Sequence, residues 1–192
     1  MMQRLRTLFL GWCLLTAAGC GAKAPVCTGG LCGQKMQADC AMFVKPELVA
    51  AEPMEIPVPG KITVVDFWEI CCDSCVRAMP GWEALWQRMD RSKAVMVGIS
   101  LDDDVDAARR SLRGEKSTVC PEVTGGGAVN VTFPMLYDGE ARALDAIYNV
   151  GVTRPVTVVL DEDGTVIFDS RRVSGDAVAA VESLLSARGV LR

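Results

Sequence analysis

The feature that most constrains the fold is a cysteine pair at a strand-to-helix junction. Ile62 to Trp68 is β-branched and aromatic, with one acid, Asp66. Such a run reads as a strand buried on both faces. Four residues on comes Cys72-Asp73-Ser74-Cys75, and from Cys75 to Asp90 apolar residues recur at helical spacing: Val76, Met79, Trp82, Leu85, Trp86 and Met89. This predicts a helix interrupted by Pro80. The first cysteine then faces unpaired backbone N–H groups and the positive end of the helix dipole, which favour thiolate over thiol. The second sulfur lies within one turn, so the two can cycle between dithiol and disulfide, Cys72 attacking and Cys75 resolving. Asp73, next to Cys72, opposes thiolate formation. Cys71 allows a competing Cys71–Cys75 bridge, whereas adjacent cysteines rarely bridge each other.

The rest of the chain supplies an α/β frame. Ala94 to Leu101 reads as a second buried strand, and Asp104 to Arg113 as a helix with acids at its positive end. Gly114 to Val131 is a long polar loop with Cys120 and Gly125-Gly126-Gly127; no Lys-Ser/Thr follows, so the glycines are a turn and no phosphate loop. Phe133 to Tyr137 reads as a short strand and Gly139 to Tyr148 as a short helix. Val156 to Leu160 and Thr165 to Phe168 are strands joined by Asp161-Glu162-Asp163-Gly164, a hairpin turn, and Asp176 to Ala187 is a final helix. Alternation followed by a hairpin implies a mixed sheet flanked by helices, with one antiparallel edge.

Composition excludes several chemistries. The 192 residues contain no histidine, which removes Ser-His-Asp triads, Cys-His pairs and His-ligated metals. The formal charge of −4, without a basic run, offers no nucleic-acid footprint. No cofactor is indicated. Nine cysteines remain to be explained.

The N-terminus reads as an address. Arg4 and Arg6 precede an apolar run, Leu8 to Ala18, too short to span a bilayer comfortably. The ending Leu15-Thr16-Ala17-Ala18-Gly19-Cys20 resembles a bacterial lipobox, which implies cleavage before Cys20 and lipidation there; the other reading is an ordinary signal cut near Ala22 or Ala24. Loss of residues 1–19 removes Arg4 and Arg6 and moves the charge from −4 to −6. Gly21 differs from the Asp that signals inner-membrane retention, so the lipobox resemblance implies the outer membrane of a Gram-negative envelope, facing the periplasm. Export places the chain where disulfides persist. The expected organisation is a signal peptide at 1–19, a tether rich in Cys, Pro and Gly at 20–54, and one domain at 55–192.

Val64-Val65-Asp66-Phe67-Trp68, Cys72-Asp73-Ser74-Cys75 and Met79-Pro80 resemble the thioredoxin superfamily, and Met79-Pro80 with the export signal resembles its membrane-tethered TlpA/ResA branch. The resemblance runs over roughly residues 55–190. It implies a thioredoxin-like fold and thiol–disulfide exchange on envelope proteins as a reductase. A membrane thiol transporter would be the reductant, and protein disulfides, such as the cysteine pair of an apocytochrome, the substrates. Pro155, in Gly151-Val152-Thr153-Arg154-Pro155, matches the family's cis-proline facing the cysteines, with the Arg154 backbone and Trp68 on the substrate side and the Arg154 side chain at the surface. Asp66 matches the buried carboxylate that takes the proton of the resolving cysteine; the alternative is a strand-end acid bonded to local backbone. This chain has Cys71 where the family often carries Trp, and its CxxC lacks the frequent proline.

Other readings stay open. Cys27, Cys32 and Cys40, with Met36 and Met42, suit a structural bridge or a soft-metal site, and the latter would make the chain a metal-delivery lipoprotein. A thiol peroxidase also needs an activated cysteine, but a CxxC with a downstream Pro155 suits exchange better. The pairing of Cys27, Cys32, Cys40, Cys71 and Cys120 is open, and their odd number leaves one unpaired or paired between chains.

Overall fold

A computed structural model describes residues 45–46, 53–113, 115, 119–121, 123, 131–139, 143–148, 151, 153–172 and 174–192. The expected leader, Cys20, Cys27, Cys32, Cys40 and Gly125-Gly126-Gly127 lie outside the described residues. Within the expected tether, β1 (Lys45–Pro46) and β2 (Pro53–Met54) form a small antiparallel pair.

The main sheet has five strands in the order β5-β4-β3-β6-β7. These are β3 (Ile62–Trp68), β4 (Ala94–Ser100), β5 (Met135–Tyr137), β6 (Val156–Leu160) and β7 (Val166–Asp169). Every residue of β3, β4 and β6 is buried, as their continuous apolar runs require when helices cover both faces. β3, β4 and β5 are mutually parallel, and β6 runs antiparallel to both β3 and β7. The hairpin thus forms the expected antiparallel edge, β7 pairing with β6, and β6 itself lies inside the sheet. The hairpin was legible; what it could not reveal is that β6 inserts beside β3. Gly164 closes that hairpin at φ 83°, a conformation open to glycine at no steric cost.

The helices are α1 (Asp73–Arg88), α2 (Val105–Leu112), α3 (Ala143–Tyr148) and α4 (Ala177–Ala187). α1 starts two residues earlier than its periodicity suggested and continues through Pro80, correcting the expected interruption. Pro80 removes one intrahelical hydrogen bond, but the helix is held by burial. Val76, Met79, Trp82, Leu85, Trp86 and, at its C-cap, Met89 are all buried, and each large side chain so buried contributes about 1.5–3 kcal/mol. Asp104 and Asp176 cap α2 and α4 by accepting backbone N–H bonds. α3 lies within the bounds expected for it. Phe133 precedes β5, and its ring is buried in the core. At the end of α1, the Met89 N–H reaches Trp86 O, and Arg192 N donates to Arg88 O, tying the C-terminus to the domain.

Candidate active site

The cysteine pair lies where β3 ends and α1 begins. Cys72 is the N-cap of α1, in an extended conformation (φ −95°, ψ 95°), and its Sγ accepts a hydrogen bond from Cys75 N at 3.2 Å. The sulfur thus occupies the position usually held by a Ser or Asp oxygen, and a thiolate there would accept more strongly than a thiol. Cys72 is bridged to Cys75 with a Cα–Cα distance of 5.2 Å. Cys72 is part-exposed and Cys75 fully buried, the asymmetry that suits an attacking and a resolving thiol. Ser74 Oγ lies 3.5 Å from Cys72 Sγ. Asp73 forms an ion pair with Arg77 one turn on, so its opposition to a thiolate is smaller than its charge alone implies.

Asp66 is 1% exposed at the middle of the sheet, directly opposite Thr157 in the β3–β6 register. Burial raises its pKa from 3.8 to about 7, against the lowering effect of a 2.7 Å hydrogen bond donated by Thr157 Oγ1. Its partner is therefore a side chain on the neighbouring strand, not local backbone. Two residues before Thr157 stands Pro155, whose peptide bond to Arg154 is cis. Because Phe67 pairs with Val156, the Arg154–Pro155 segment lies beside the C-terminal end of β3, from which the chain runs to Cys72.

The expected places of two side chains are corrected. Trp68 is 1% exposed; both faces of β3 are covered, so its side chain belongs to the core rather than to a substrate surface. The Arg154 side chain, expected at the surface, is 10% exposed and pairs with Glu69 at 2.8 Å. It also donates to the carbonyls of Gly151 and Thr153. The guanidinium thereby ties the cis-proline loop to the loop that carries the cysteines.

A second buried acid supports that loop from β4. Asp102 Oδ1 accepts from Ile70 N at 3.0 Å, and Oδ2 accepts from Ser100 Oγ at 2.8 Å. Burial, offset by these bonds and reinforced by Glu69 and Asp103, raises its pKa to about 6. Cys71, read as a competitor for Cys75, is instead bonded to Cys120, with Cα atoms 5.3 Å apart. Glu69, Asp102, Thr157 and Cys120 were missed as members of the site. Asp102 carried a signal: like Asp66, it is an acid attached to a buried apolar strand. Glu69 and Cys120 have local sequences no different from a surface position, and Thr157 reads only as one residue of a strand.

Among the described residues no group of three or more Cys, Asp or Glu is arranged to hold a metal ion, and the residues of the soft-metal reading lie outside them. Among the described residues no helix is long and apolar enough to cross a membrane.

Residues 55–168 match the AhpC/TSA family. The thioredoxin-like protein YneN of Bacillus subtilis (strain 168) is 28% identical over 107 residues, 56% of this chain; the chain spans about half (54%) of the length of that relative. In structure the chain is similar to a thiol:disulfide interchange protein DsbE from Chlorobium tepidum, with a TM-score of 0.59 and 18% identity over 83% of this chain and 98% of that one. A secreted disulfide oxidoreductase of Mycobacterium tuberculosis gives a TM-score of 0.55 and 21% identity over 77% and 96% of the two chains. At these identities the likeness establishes the thioredoxin-like fold.

Proposed function

The chain belongs to the AhpC/TSA family, and from that premise we propose that it is a TlpA/ResA-like thiol–disulfide oxidoreductase acting on proteins of the bacterial cell envelope through Cys72 and Cys75, working as a reductase. The observation that carries this reading is Cys72 Sγ at the N-cap of α1, bonded to Cys75 and accepting from its N–H. In the reduced form, the Cys72 thiolate attacks one sulfur of a substrate disulfide. The other substrate sulfur leaves as a thiolate and takes a proton. Cys75 passes its proton to Asp66 and attacks Cys72 Sγ, releasing the second substrate thiol and closing Cys72–Cys75. The substrate gains two electrons and the enzyme loses two. On this reading a substrate strand adds to the backbone of the Arg154–Pro155 loop.

On this reading a membrane thiol transporter re-reduces the pair, and apocytochrome cysteine pairs are among the candidate substrates. Lipidation of Cys20 would hold the domain to the membrane, facing the periplasm, with the outer membrane favoured by Gly21. The fold and the family support the chemistry, and the leader-like N-terminus supports the location.

The test is a glutathione redox titration of the full chain with mass mapping of every cysteine. Reversible opening of Cys72–Cys75 at a strongly negative potential, with loss of disulfide reductase activity in Cys72→Ser, is the expected result. An inert pair, or peroxide consumption without any protein disulfide substrate, would sink the proposal.

A further inference from the structure

Cys71 and Cys72 are consecutive residues that belong to two different disulfides. Cys72 closes onto Cys75 within α1, while Cys71 reaches across the fold to Cys120. Cys71 is exposed, on the same loop as the attacking sulfur, and Cys120 is 2% exposed. A thiolate generated at Cys72 therefore forms one peptide unit away from an intact disulfide. A staple needed only for stability has no reason to sit there, because every catalytic cycle places a nucleophile beside it.

Resting on the reading that Cys72 cycles, we propose that Cys71–Cys120 is a second redox-active disulfide, which exchanges with the Cys72–Cys75 pair so that the domain stores two electron pairs instead of one. The exchange balances in two steps. The Cys72 thiolate attacks Cys120 Sγ; a Cys72–Cys120 bond forms, the Cys71–Cys120 bond breaks, and Cys71 leaves as a thiolate. Cys75, deprotonated, then attacks Cys72 Sγ; Cys72–Cys75 closes and Cys120 leaves as a thiolate that takes the proton released by Cys75. The net result moves two electrons from the active pair to Cys71 and Cys120, and the reverse returns them.

Reach and selectivity both favour this route. Consecutive Cα atoms are about 3.8 Å apart, so with Cys71 and Cys120 at 5.3 Å the Cys72–Cys120 Cα separation is at most about 9 Å. A disulfide requires roughly 4.4–6.8 Å, so a shift of a few Å at most brings Cys120 to Cys72. Attack on Cys71 Sγ instead would create a bridge between adjacent residues, which is strained. A thiol tethered one residue away also attacks intramolecularly, at an effective concentration set by the tether and not by the amount of protein.

The deciding experiment traps the intermediate in the full chain. Cys75→Ser, prepared with Cys71–Cys120 oxidised, is acid-quenched, alkylated and mapped by fragmentation. Exchange predicts a Cys72–Cys120 bond with the alkyl group on Cys71 in roughly a tenth or more of the molecules. Finding only Cys71–Cys120, with the label on Cys72, overturns the proposal and leaves that bond a structural staple. A second measurement needs no variant. Wild-type chain reduced with one equivalent of dithiothreitol, freed of reagent and incubated, should transfer part of its thiols to Cys71 and Cys120 at a rate independent of protein concentration. Thiols that stay on Cys72 and Cys75 again overturn the exchange while the functional reading stands. If Cys72–Cys75 itself does not open reversibly, it is the functional reading that falls.

Discussion

Asp66 and Arg154 show how individual side chains take their character from what surrounds them. Asp66 is raised from 3.8 to about 7 by burial. The native state therefore keeps a proton that the unfolded chain releases between about pH 4 and pH 7. Stability from this group is full below pH 4 and is lost as pH rises through 7. Asp66→Asn should be close to neutral at pH 4 and more stable than wild type by roughly 4 kcal/mol at pH 8, read by urea denaturation at both values. The same variant should lose about 10²-fold in turnover and lose the limb of its pH–rate profile near pH 7. A profile unchanged by Asn would remove Asp66 from the proton path. For Arg154, Arg154→Met keeps the apolar stem but removes the ion pair with Glu69, beside Asp102. Because the pair is only partly buried, the expected cost is about 1–2 kcal/mol. KM for a protein disulfide should rise more than kcat falls, since the tie between the two loops is what is cut. A purely local packing role would leave KM where it is.

At the scale of elements, α1 is held by its buried face and by sulfur capping more than by propensity, since it tolerates Pro80 internally. The β4–β5 junction is the tighter constraint. Gly98 pairs with Met135, and a Cβ added there would collide with Met135 Sδ and lie 3.3 Å from a Phe133 ring carbon. Both side chains are buried, so neither has free space to move into. Gly98→Ala should cost about 1–3 kcal/mol, seen as a lower urea midpoint. A neutral outcome would mean that the Met135 thioether repacks freely. α1 and α4 also approach closely: a Cβ on Gly81 would lie 3.3 Å from Val178 Cγ1.

For the whole molecule, the Cys71–Cys120 bond joins residues 49 apart in sequence, across β4 and α2. Closing a loop of that length restricts the unfolded chain, and removing it with Cys71→Ser/Cys120→Ser should cost about 2–4 kcal/mol. Equilibrium unfolding against wild type with both disulfides intact checks this. A loss well under 1 kcal/mol would mean that the surrounding loop is held by its other contacts. The same bond, the Arg154–Glu69 pair and the Asp102–Ile70 bond hold the cysteine-bearing loop from three separate parts of the chain. The sulfur pair is thus oriented by the entire fold.

The sequence by itself determined the elements whose pattern is local and strong. β3 and β6 fall at their predicted bounds, the buried face of α1 was readable residue by residue, and Cys72 and Cys75 stand at a strand-to-helix junction. These follow from side-chain periodicity and capping, which act over a few residues. Only the tertiary structure decided where β6 inserts, that Thr157 faces Asp66, that Trp68 is core, and that Arg154 turns inward to Glu69. It also decided that Cys71 pairs with Cys120. Each of these joins residues far apart in the chain, and no local pattern distinguishes one such partner from another. Distant partners are selected by which strands pair and in what register, because burial of a polar group is tolerated only where the fold brings it a matching one.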